Sequence, residues 1–365
     1  MVVIINKIEL TKDEEEHALQ LHKKSIVIDS LQEVLAKNPD AYFSEFIDGG
    51  VTACFQDVEG GSDPSPYPQV VPGNFKKTVI GIDKLKKTVE SNSDKFVFAE
   101  FAEDIKKAKE DGKIALIPHI QACAAPIESN YVFLRALHKL DLKIIQLTYN
   151  SQTSVGTGCC EPHDTGLTLF GGRIVEEMNR IGVIIDVSHG SDETMNDAIE
   201  VSKEPIIISH SSCRAINPSL RNTEDETIKA LAEKGGVIGL CAWPPLLSID
   251  QSKKRSTLNM FLDHIDHVAE LVGVDHLGIS TDTNWRGIDE GWCSETMMYW
   301  RRDRPDVYGY DKPLNLYPPP VVGLERESKL PNITRGLVAR GYSDEEIMKI
   351  WGENWLRVFK QVWGK

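Results

Sequence analysis

The residues best suited to carry chemistry are polar side chains that end short apolar runs. They are Asp29, His119 with Gln121, Tyr149 with Asn150, His189, His210 and Asp282. His189 and His210 close consecutive runs, in the segments IIDVSH and IIISH. Neutral imidazoles are good ligands for zinc-like ions, and a carboxylate such as Asp282 could orient or deprotonate a nucleophile. One histidine in such a place is usually a hydrogen-bonded structural residue, but two at neighbouring strand ends favour a functional site.

An arginine follows the sixth apolar run, in the segment CRAINPSLRNTEDE. This residue, Arg221, offers a planar fork for a carboxylate or phosphate, and a surface salt bridge is the alternative role. Tyr149, Asn150 and Asn222 could add polar contacts to a ligand, although a structural role fits each of them equally well. His119, beside Pro118, is interpreted as a structural or supporting residue.

Two other features are interpreted as structural. Asp186 lies inside an apolar run, where pairing with neighbouring backbone or an arginine fits better than catalysis. The turn GTGCCEPHD at 156–164 could bind a ligand through cysteine or histidine, but a packed loop is the simpler interpretation.

The elements that must position these residues alternate between two patterns. Eight β-rich apolar runs are predicted strands, at 25–31, 50–55, 114–120, 142–150, 183–189, 205–211, 237–243 and 277–283. Between and after them, segments with apolar residues three and four apart predict helices at 167–181, 192–202, 225–234, 258–272, 333–340 and 344–363. Near-continuous hydrophobic strands followed by helices predict a parallel sheet covered outside, and eight strands close an α/β barrel of the (β/α)8 TIM type. A doubly wound open sheet is the alternative, but no Gly-x-Gly-x-x-Gly follows the first strand.

No linker divides the chain, so residues 1–365 are predicted to form a single barrel domain. Two loop insertions, near 58–75 and 284–320, are rich in Gly, Pro and aromatic residues. Each follows a strand, which places it at the carboxyl-terminal mouth of the barrel, where a lid or specificity loop belongs.

Composition excludes several classes of function. The net charge of −14 and the lack of a clustered basic face argue against nucleic-acid binding. No apolar run approaches the length of a membrane span, and the first residues turn acidic too early for a signal peptide. The seven cysteines match no zinc-binding spacing and are expected to be reduced. We therefore expect a cytoplasmic protein with no membrane or nucleic-acid partner.

Four blocks of the sequence resemble, in order and spacing, the membrane dipeptidase (renal dipeptidase, peptidase M19) family of the amidohydrolase superfamily. The blocks are GLTLFGGRIVEEMNRIGVIIDVSH, IIISHSSCRAINPSLRN, HIDHVAELVGVDHLGISTD and KLPNITRGLVARGYSDEEIMKIWGENWLRVF. The resemblance implies a metal-dependent barrel, often dimeric. Active members hydrolyse dipeptides, including those with a carboxyl-terminal D-residue, using two zinc ions bridged by a glutamate and a hydroxide.

Half of the implied site is retained. His189 and His210 match the two histidines of the second zinc. Arg221 matches the arginine that binds the substrate carboxylate, and Asp282 matches an aspartate implicated in proton transfer.

The other half departs from the family pattern. Leu31 and Glu33 stand in place of a metal-binding His-x-Asp pair, Gln121 replaces the bridging glutamate, and Tyr149 replaces a substrate-site histidine. Leucine cannot coordinate a metal, and an amide bridges two dications poorly.

The resemblance and its departures together imply at most one zinc ion. That ion would sit on His189 and His210, with the Gln121 oxygen, Asp282 or water completing its shell, because three protein ligands and an open position suffice for catalytic zinc. We expect a dipeptidase-like hydrolase acting on a small carboxylate-bearing amide or dipeptide, as a possible homodimer. The alternatives are a catalytically inactive homologue that binds a small ligand and an enzyme of changed chemistry such as a lyase. A site that holds no metal at all is a further alternative.

Overall fold

Parallel strands form the centre of the molecule. The structure is a computed structural model that describes residues 2–5, 8–32, 39–58, 74–250, 253–282, 295–309 and 318–363. Its strands are β1 (Val2–Ile5), β2 (Ile8–Thr11), β3 (Val27–Gln32), β4 (Val51–Asp57), β5 (Phe96–Phe98), β6 (Ile114–Ile120), β7 (Ile144–Gln146), β8 (Ile184–Asp186), β9 (Ile207–Ser211), β10 (Val237–Cys241) and β11 (Leu277–Ser280). The order β4-β3-β11-β10-β9-β8-β7-β6 is closed by pairing of β4 with β6, which makes an eight-stranded parallel barrel. The predicted (β/α)8 barrel is confirmed.

Helices surround this barrel and lie across its two ends. They are α1 (Lys12–Lys24), α2 (Pro39–Asp48), α3 (Phe75–Ser91), α4 (Ala102–Asp111), α5 (Ala124–Ile127), α6 (Tyr131–Lys139), α7 (Leu169–Ile181), α8 (Asp192–Val201), α9 (Asp225–Glu233), α10 (Pro244–Leu247), α11 (Leu258–Val272), α12 (Glu295–Asp303), α13 (Pro305–Tyr308), α14 (Pro331–Ala339), α15 (Asp344–Met348) and α16 (Asn354–Trp363). A π-helical turn, Lys349–Glu353, joins α15 to α16. None of the helices in the described ranges is long and apolar enough to cross a membrane.

The eight strand predictions each coincide with a barrel strand, whereas β5 and the β1–β2 hairpin were not predicted. β5 is only the three residues FVF, and it pairs with the first half of β6 outside the closed barrel. A three-residue strand is too short to show an alternation pattern. The β1–β2 hairpin is a separate two-stranded antiparallel sheet.

The half of the barrel interior nearest the amino-terminal ends of the strands is closed by apolar side chains. Inward-facing side chains with no more than trace exposure fill it, namely Ile28, Ala53, Phe55, Ala115, Ile117, Ile144, Ile184, Ile207 and Val237. From α16, Trp355 plugs this end and packs edge-on against Phe55, with ring centroids 5.3 Å apart. A Cβ on Gly278 would lie 2.5 Å from the Trp355 ring, so the glycine in β11 makes room for the plug. Chemistry is therefore confined to the opposite mouth, where the strands end.

Part of each predicted mouth excursion lies outside the described residues. These parts are 59–73 of the first excursion and 284–294 with 310–317 of the second. Within the second excursion, α12 and α13 are described, and they bring Trp300 and Tyr308 into a buried cluster with Trp243, Cys159 and Cys160.

Candidate active site

Two imidazoles face one another at the barrel mouth. His189 follows β8 and His210 lies in β9, and their Nε2 atoms are 3.0 Å apart. Both side chains are buried, with 6% and 1% of their surface exposed. His189 has a φ of +62°, a conformation that costs a non-glycine residue energy and recurs at functional sites. The structure thus brings together the two histidines that the sequence singled out, and we call them the imidazole pair.

A buried carboxylate orients His210 through a serine. His210 Nδ1 lies 2.7 Å from the hydroxyl of Ser209, which donates to Asp186 Oδ2 at 2.5 Å. Burial by itself raises the pKa of Asp186, but the hydrogen bond and charge of His119 and the bond from Ser209 outweigh it and hold that pKa well below its usual range. Asp186 is therefore an ionised carboxylate that holds His210 in place through Ser209. The Nε2 atom of His119 lies 3.0 Å from Asp186 Oδ2. The backbone pairing predicted for Asp186 agrees with the N–H groups of Ser188 and Ser209, which donate to its Oδ1 at 2.9 and 3.0 Å. The supporting role predicted for His119 agrees with its contact with Asp186.

An amide and two aromatic rings surround His189. Its Nδ1 lies 2.8 Å from Asn150 Oδ1, and Asn150 Nδ2 donates to the Tyr308 hydroxyl at 2.5 Å. The ring of Tyr149 stacks on His189, with centroids 4.1 Å apart and planes 25° from parallel. The backbone N–H of Cys159 donates to the His189 carbonyl at 2.8 Å, so the cysteine turn packs against the site from outside.

The local environment keeps both imidazoles uncharged. Burial is the largest cause that lowers the pKa of His189 and of His210 well below its ordinary value, and the positive charge of Arg221 lowers both further. Neutral imidazole is the form that ligates metals.

Arg221 lies next to the imidazole pair. It is 5% exposed, and its Nη2 donates to the His210 carbonyl at 2.8 Å. Among the described residues, no carboxylate oxygen lies within salt-bridge distance of its guanidinium, whereas Arg214 on the same loop pairs with Asp192 and Glu224. A buried guanidinium without a counter-ion is costly, so this arrangement is suited to an anionic ligand.

Asp282 lies two residues beyond β11 with a φ of +50°. Burial raises its pKa to about 6, against the opposing charge of Arg221 and with a further rise from Asp29. A carboxyl group that titrates near 6 can exchange protons close to neutral pH. Asp29 is fully buried and accepts hydrogen bonds from the N–H and hydroxyl of Thr281 at 2.8 and 2.6 Å, so it braces the strand end that precedes Asp282.

The donor set does not fit a binuclear metal centre. Leu31 is a fully buried aliphatic side chain, and the amide nitrogen of Gln121 points at Asp57 Oδ2, 3.4 Å away. Glu33, the substitute for the second ligand of the first ion, lies outside the described residues. Throughout the described ranges, no group of three or more His, Cys, Asp or Glu side chains is arranged to hold a metal.

A single ion needs fewer ligands, and two of them lie side by side. The 3.0 Å between the two Nε2 atoms is within a few tenths of an ångström of the roughly 3.3 Å that separates two nitrogens around tetrahedral zinc. The described contacts bring only these two protein ligands to that point, so Gln121 as a third ligand remains a prediction.

Asn222, another predicted contact residue, holds the loop that carries Arg221 in place. The Asn222 amide donates to the Asn217 and Leu246 carbonyls at 2.8 and 2.9 Å. Its role in substrate binding remains a prediction, as does that of Tyr149, which is at least in contact with His189.

Sequence reasoning missed Ser209 and Tyr308. The repeated Ser-His ending of two consecutive strands, at 188–189 and 209–210, was a usable signal for the serine. Tyr308 lies 158 residues from the asparagine it contacts, inside an irregular excursion, and no local pattern marks it.

Comparison with known proteins places the chain in one family. The family model for membrane dipeptidase, peptidase family M19, matches residues 15–293 and 317–363. Dipeptidase tcpJ of Claviceps purpurea is 32% identical over 291 residues, which is 79% of this chain but 60% of that protein, so the match spans well under two thirds of the relative.

Solved structures agree on the fold. The crystal structure of an amidohydrolase from Pseudomonas aeruginosa has a TM-score of 0.79 and 33% identity, covering 95% of this chain and 99% of that one. A metallo peptidase from Rhodobacter sphaeroides, liganded with a phosphinate mimic of the dipeptide L-Ala-D-Ala, has a TM-score of 0.72 over 93% of this chain and 100% of its own. At 20% identity, this second likeness shows the fold alone.

Proposed function

Because the chain belongs to the membrane dipeptidase family, peptidase family M19, we propose that it is a hydrolase of a small amide or dipeptide that carries a free carboxylate. The observation that carries this proposal is Arg221. It is a nearly buried guanidinium beside the imidazole pair, with no carboxylate partner among the described side chains. A substrate carboxylate would supply the missing negative charge, and the arginine would hold it with two parallel hydrogen bonds.

Each of these residues has a separate role in amide hydrolysis. Arg221 binds the carboxylate and so fixes the scissile bond relative to the imidazole pair. Asp282, with its pKa raised to about 6, accepts a proton from the attacking water at a carboxylate oxygen and returns it to the leaving nitrogen. His189 and His210 would hold one zinc ion, which supplies polarisation of the carbonyl and acidification of a bound water.

Among the described residues, the remaining half of the family's metal site has no counterpart. With Leu31 buried and Gln121 turned to Asp57, we propose no second ion and no bridging ligand. The stacking of Tyr149 on His189 puts an aromatic ring beside the imidazole pair. We propose that this ring contacts the group next to the scissile bond.

Paired ligands test the proposal. Isothermal titration with dipeptides and N-acyl amino acids, each against its carboxamide, should show binding of the acids and little binding of the amides. Arg221→Ala should weaken binding of the acids roughly 10- to 100-fold, the range of one lost charge-assisted contact. Arg221→Lys should recover only part of this loss, because lysine cannot form the two-bonded fork.

A matched control separates this effect from the general loss of one positive charge. Arg173 is exposed on α7, so Arg173→Ala should bind acids as the wild type does. Equal binding of acids and amides by the wild type, or unchanged binding by Arg221→Ala, would make Arg221 a structural residue and remove the basis for the substrate class.

A further inference from the structure

Two arginines on one loop have different surroundings. The loop, residues 213–224, follows the end of β9 and carries both Arg214 and Arg221. A guanidinium has five N–H donors, and each of those on Arg214 faces a protein acceptor. For Arg221, the described residues supply one acceptor, the His210 carbonyl. Arg221 can therefore offer its other donors to a ligand, whereas the donors of Arg214 are used within the protein.

The guanidinium of Arg214 holds the backbone on both sides of Arg221. Its Nε donates to the Asn222 carbonyl at 2.9 Å, and its Nη2 donates to the Leu220 carbonyl at 3.1 Å. The carbonyl of Arg221 itself accepts from the Ser211 hydroxyl at 3.1 Å. Three consecutive carbonyls of an irregular segment thus each accept from a side chain, which fixes the orientation of the backbone at Arg221.

Arg214 also ties this loop to helix α8. Its Nη1 and Nη2 donate to the two carboxylate oxygens of Asp192 at 2.6 and 2.8 Å, a two-bonded geometry that fixes direction as well as distance. A further hydrogen bond joins Nη1 to the Glu224 carboxylate at 2.8 Å. Asp192 is the first residue of α8, which begins shortly after His189. Arg214 therefore sets the position of Arg221 relative to the strand end that carries His189.

We infer that Arg214 and Asp192 are positioning residues that determine specificity, because they fix the spacing between the carboxylate held by Arg221 and the amide at the imidazole pair. The inference rests on the proposed function, since it takes Arg221 as the carboxylate-binding residue. The Arg221 guanidinium is one hydrogen bond from the backbone of His210, so a carboxylate bound there lies close to the pair. This favours the shortest spacer, the single carbon between the carboxylate and the amide nitrogen of an α-amino acid. A β-amino acid, one methylene longer, would displace the amide.

Isothermal titration with N-acetylglycine, N-acetyl-β-alanine and N-acetylglycinamide tests the inference. The wild type should bind the α-acid about 10-fold or more tightly than the β-acid, the usual order for a site that discriminates one methylene. Arg214→Lys keeps a positive charge beside Asp192 but cannot also hold both carbonyls, so the ratio of the two affinities should fall to about one-third of the wild-type ratio or less. Asp192→Asn keeps the shape of the side chain but loses the charged two-bonded pair, so the ratio should fall by a smaller factor. If Arg214→Lys does not fold, Asp192→Asn decides.

Arg180→Lys is the matched control. Arg180 also forms a two-bonded pair, with Glu177 on α7, but its side chain is 61% exposed, so this variant should bind all three ligands as the wild type does.

The ratio of affinities separates positioning from general stability, because a merely structural loss would weaken binding of both acids alike. An unchanged ratio in Arg214→Lys and Asp192→Asn, or a wild type without preference for the α-acid, would overturn the inference. Equal binding of N-acetylglycine and its carboxamide by the wild type is a different result. It would mean that the carboxylate is not recognised, so the proposed function would fail and this inference with it.

Discussion

Replacing Asp186 with alanine should cost about 3–5 kcal/mol of unfolding free energy, the range for breaking a buried ion pair by removing one partner. The carboxylate is fully buried and accepts from the N–H and hydroxyl of Ser188, the N–H and hydroxyl of Ser209, and the ring of His119, at 2.5–3.0 Å. A net value of about 1.5–3 kcal/mol for each charged hydrogen bond would give a larger sum, but relief of the desolvation of the carboxylate offsets part of it. Against a typical total stability of about 5–15 kcal/mol, the loss is large.

The assay is urea unfolding followed by tryptophan fluorescence, since several tryptophans are buried in the core. Asp186→Asn should lose less unfolding free energy than Asp186→Ala, because the amide keeps the shape of the side chain and one hydrogen-bond acceptor. If Asp186→Ala does not fold, Asp186→Asn takes its place in the measurement. Asp83→Ala is the control, because this aspartate is 57% exposed in an ion pair with Lys87 and such pairs contribute about 0–1 kcal/mol. If Asp186→Ala lowers the unfolding free energy by less than about 1 kcal/mol, the hydrogen bonds to this carboxylate do not stabilise the barrel mouth and the reasoning is wrong.

Two further predictions concern the barrel wall. Burial raises the pKa of Asp29 to about 6 from an ordinary value of 3.8, so its contribution to stability is fully present below about pH 4 and is lost as the pH rises to 6. The unfolding free energy of the wild type relative to Asp29→Asn should therefore fall between pH 4 and 6 and be flat above. Urea unfolding at several pH values measures this difference, and a rise between pH 4 and 6 would contradict the prediction. Gly278→Ala should destabilise by about 1–3 kcal/mol, since its Cβ would meet the Trp355 ring at 2.5 Å. Gly172→Ala, with nothing within 4 Å of its Cβ in helix α7, should stabilise by about 0.5–1 kcal/mol, and equal thermal shifts for the two variants would contradict the packing described for the plug.

Much of the fold could be predicted because periodicity is a local property. The run 114–120 coincides residue for residue with β6, and the helix predicted at 258–272 coincides with α11. The run 142–150 is longer than the strand Ile144–Gln146, although the Leu147 N–H still donates to the Asp186 carbonyl of β8 at 3.0 Å. The helix predicted over 344–363 is interrupted by a π-helical turn that the spacing of apolar residues did not predict.

The site was predictable where residue type and strand end coincide, and not where contacts span the chain. His189 and His210 were found this way, and the structure places them together and next to Arg221. The pairing of Asn150 with Tyr308 was beyond reach, because it depends on how α13 folds back over the barrel mouth. Residue types alone also could not reveal which way the imidazoles face, since that is set by hydrogen bonds to Ser209 and Asn150.

The zinc content of the purified chain tests the central claim most directly. After loading with excess Zn²⁺ and dialysis, elemental analysis should find one equivalent per chain, because the imidazole pair fits one ion and Leu31 and Gln121 do not support a second. His189→Ala and His210→Ala should each lose that equivalent. Two equivalents at full occupancy, none in the wild type, or one that persists in both variants would contradict a single zinc site on the imidazole pair.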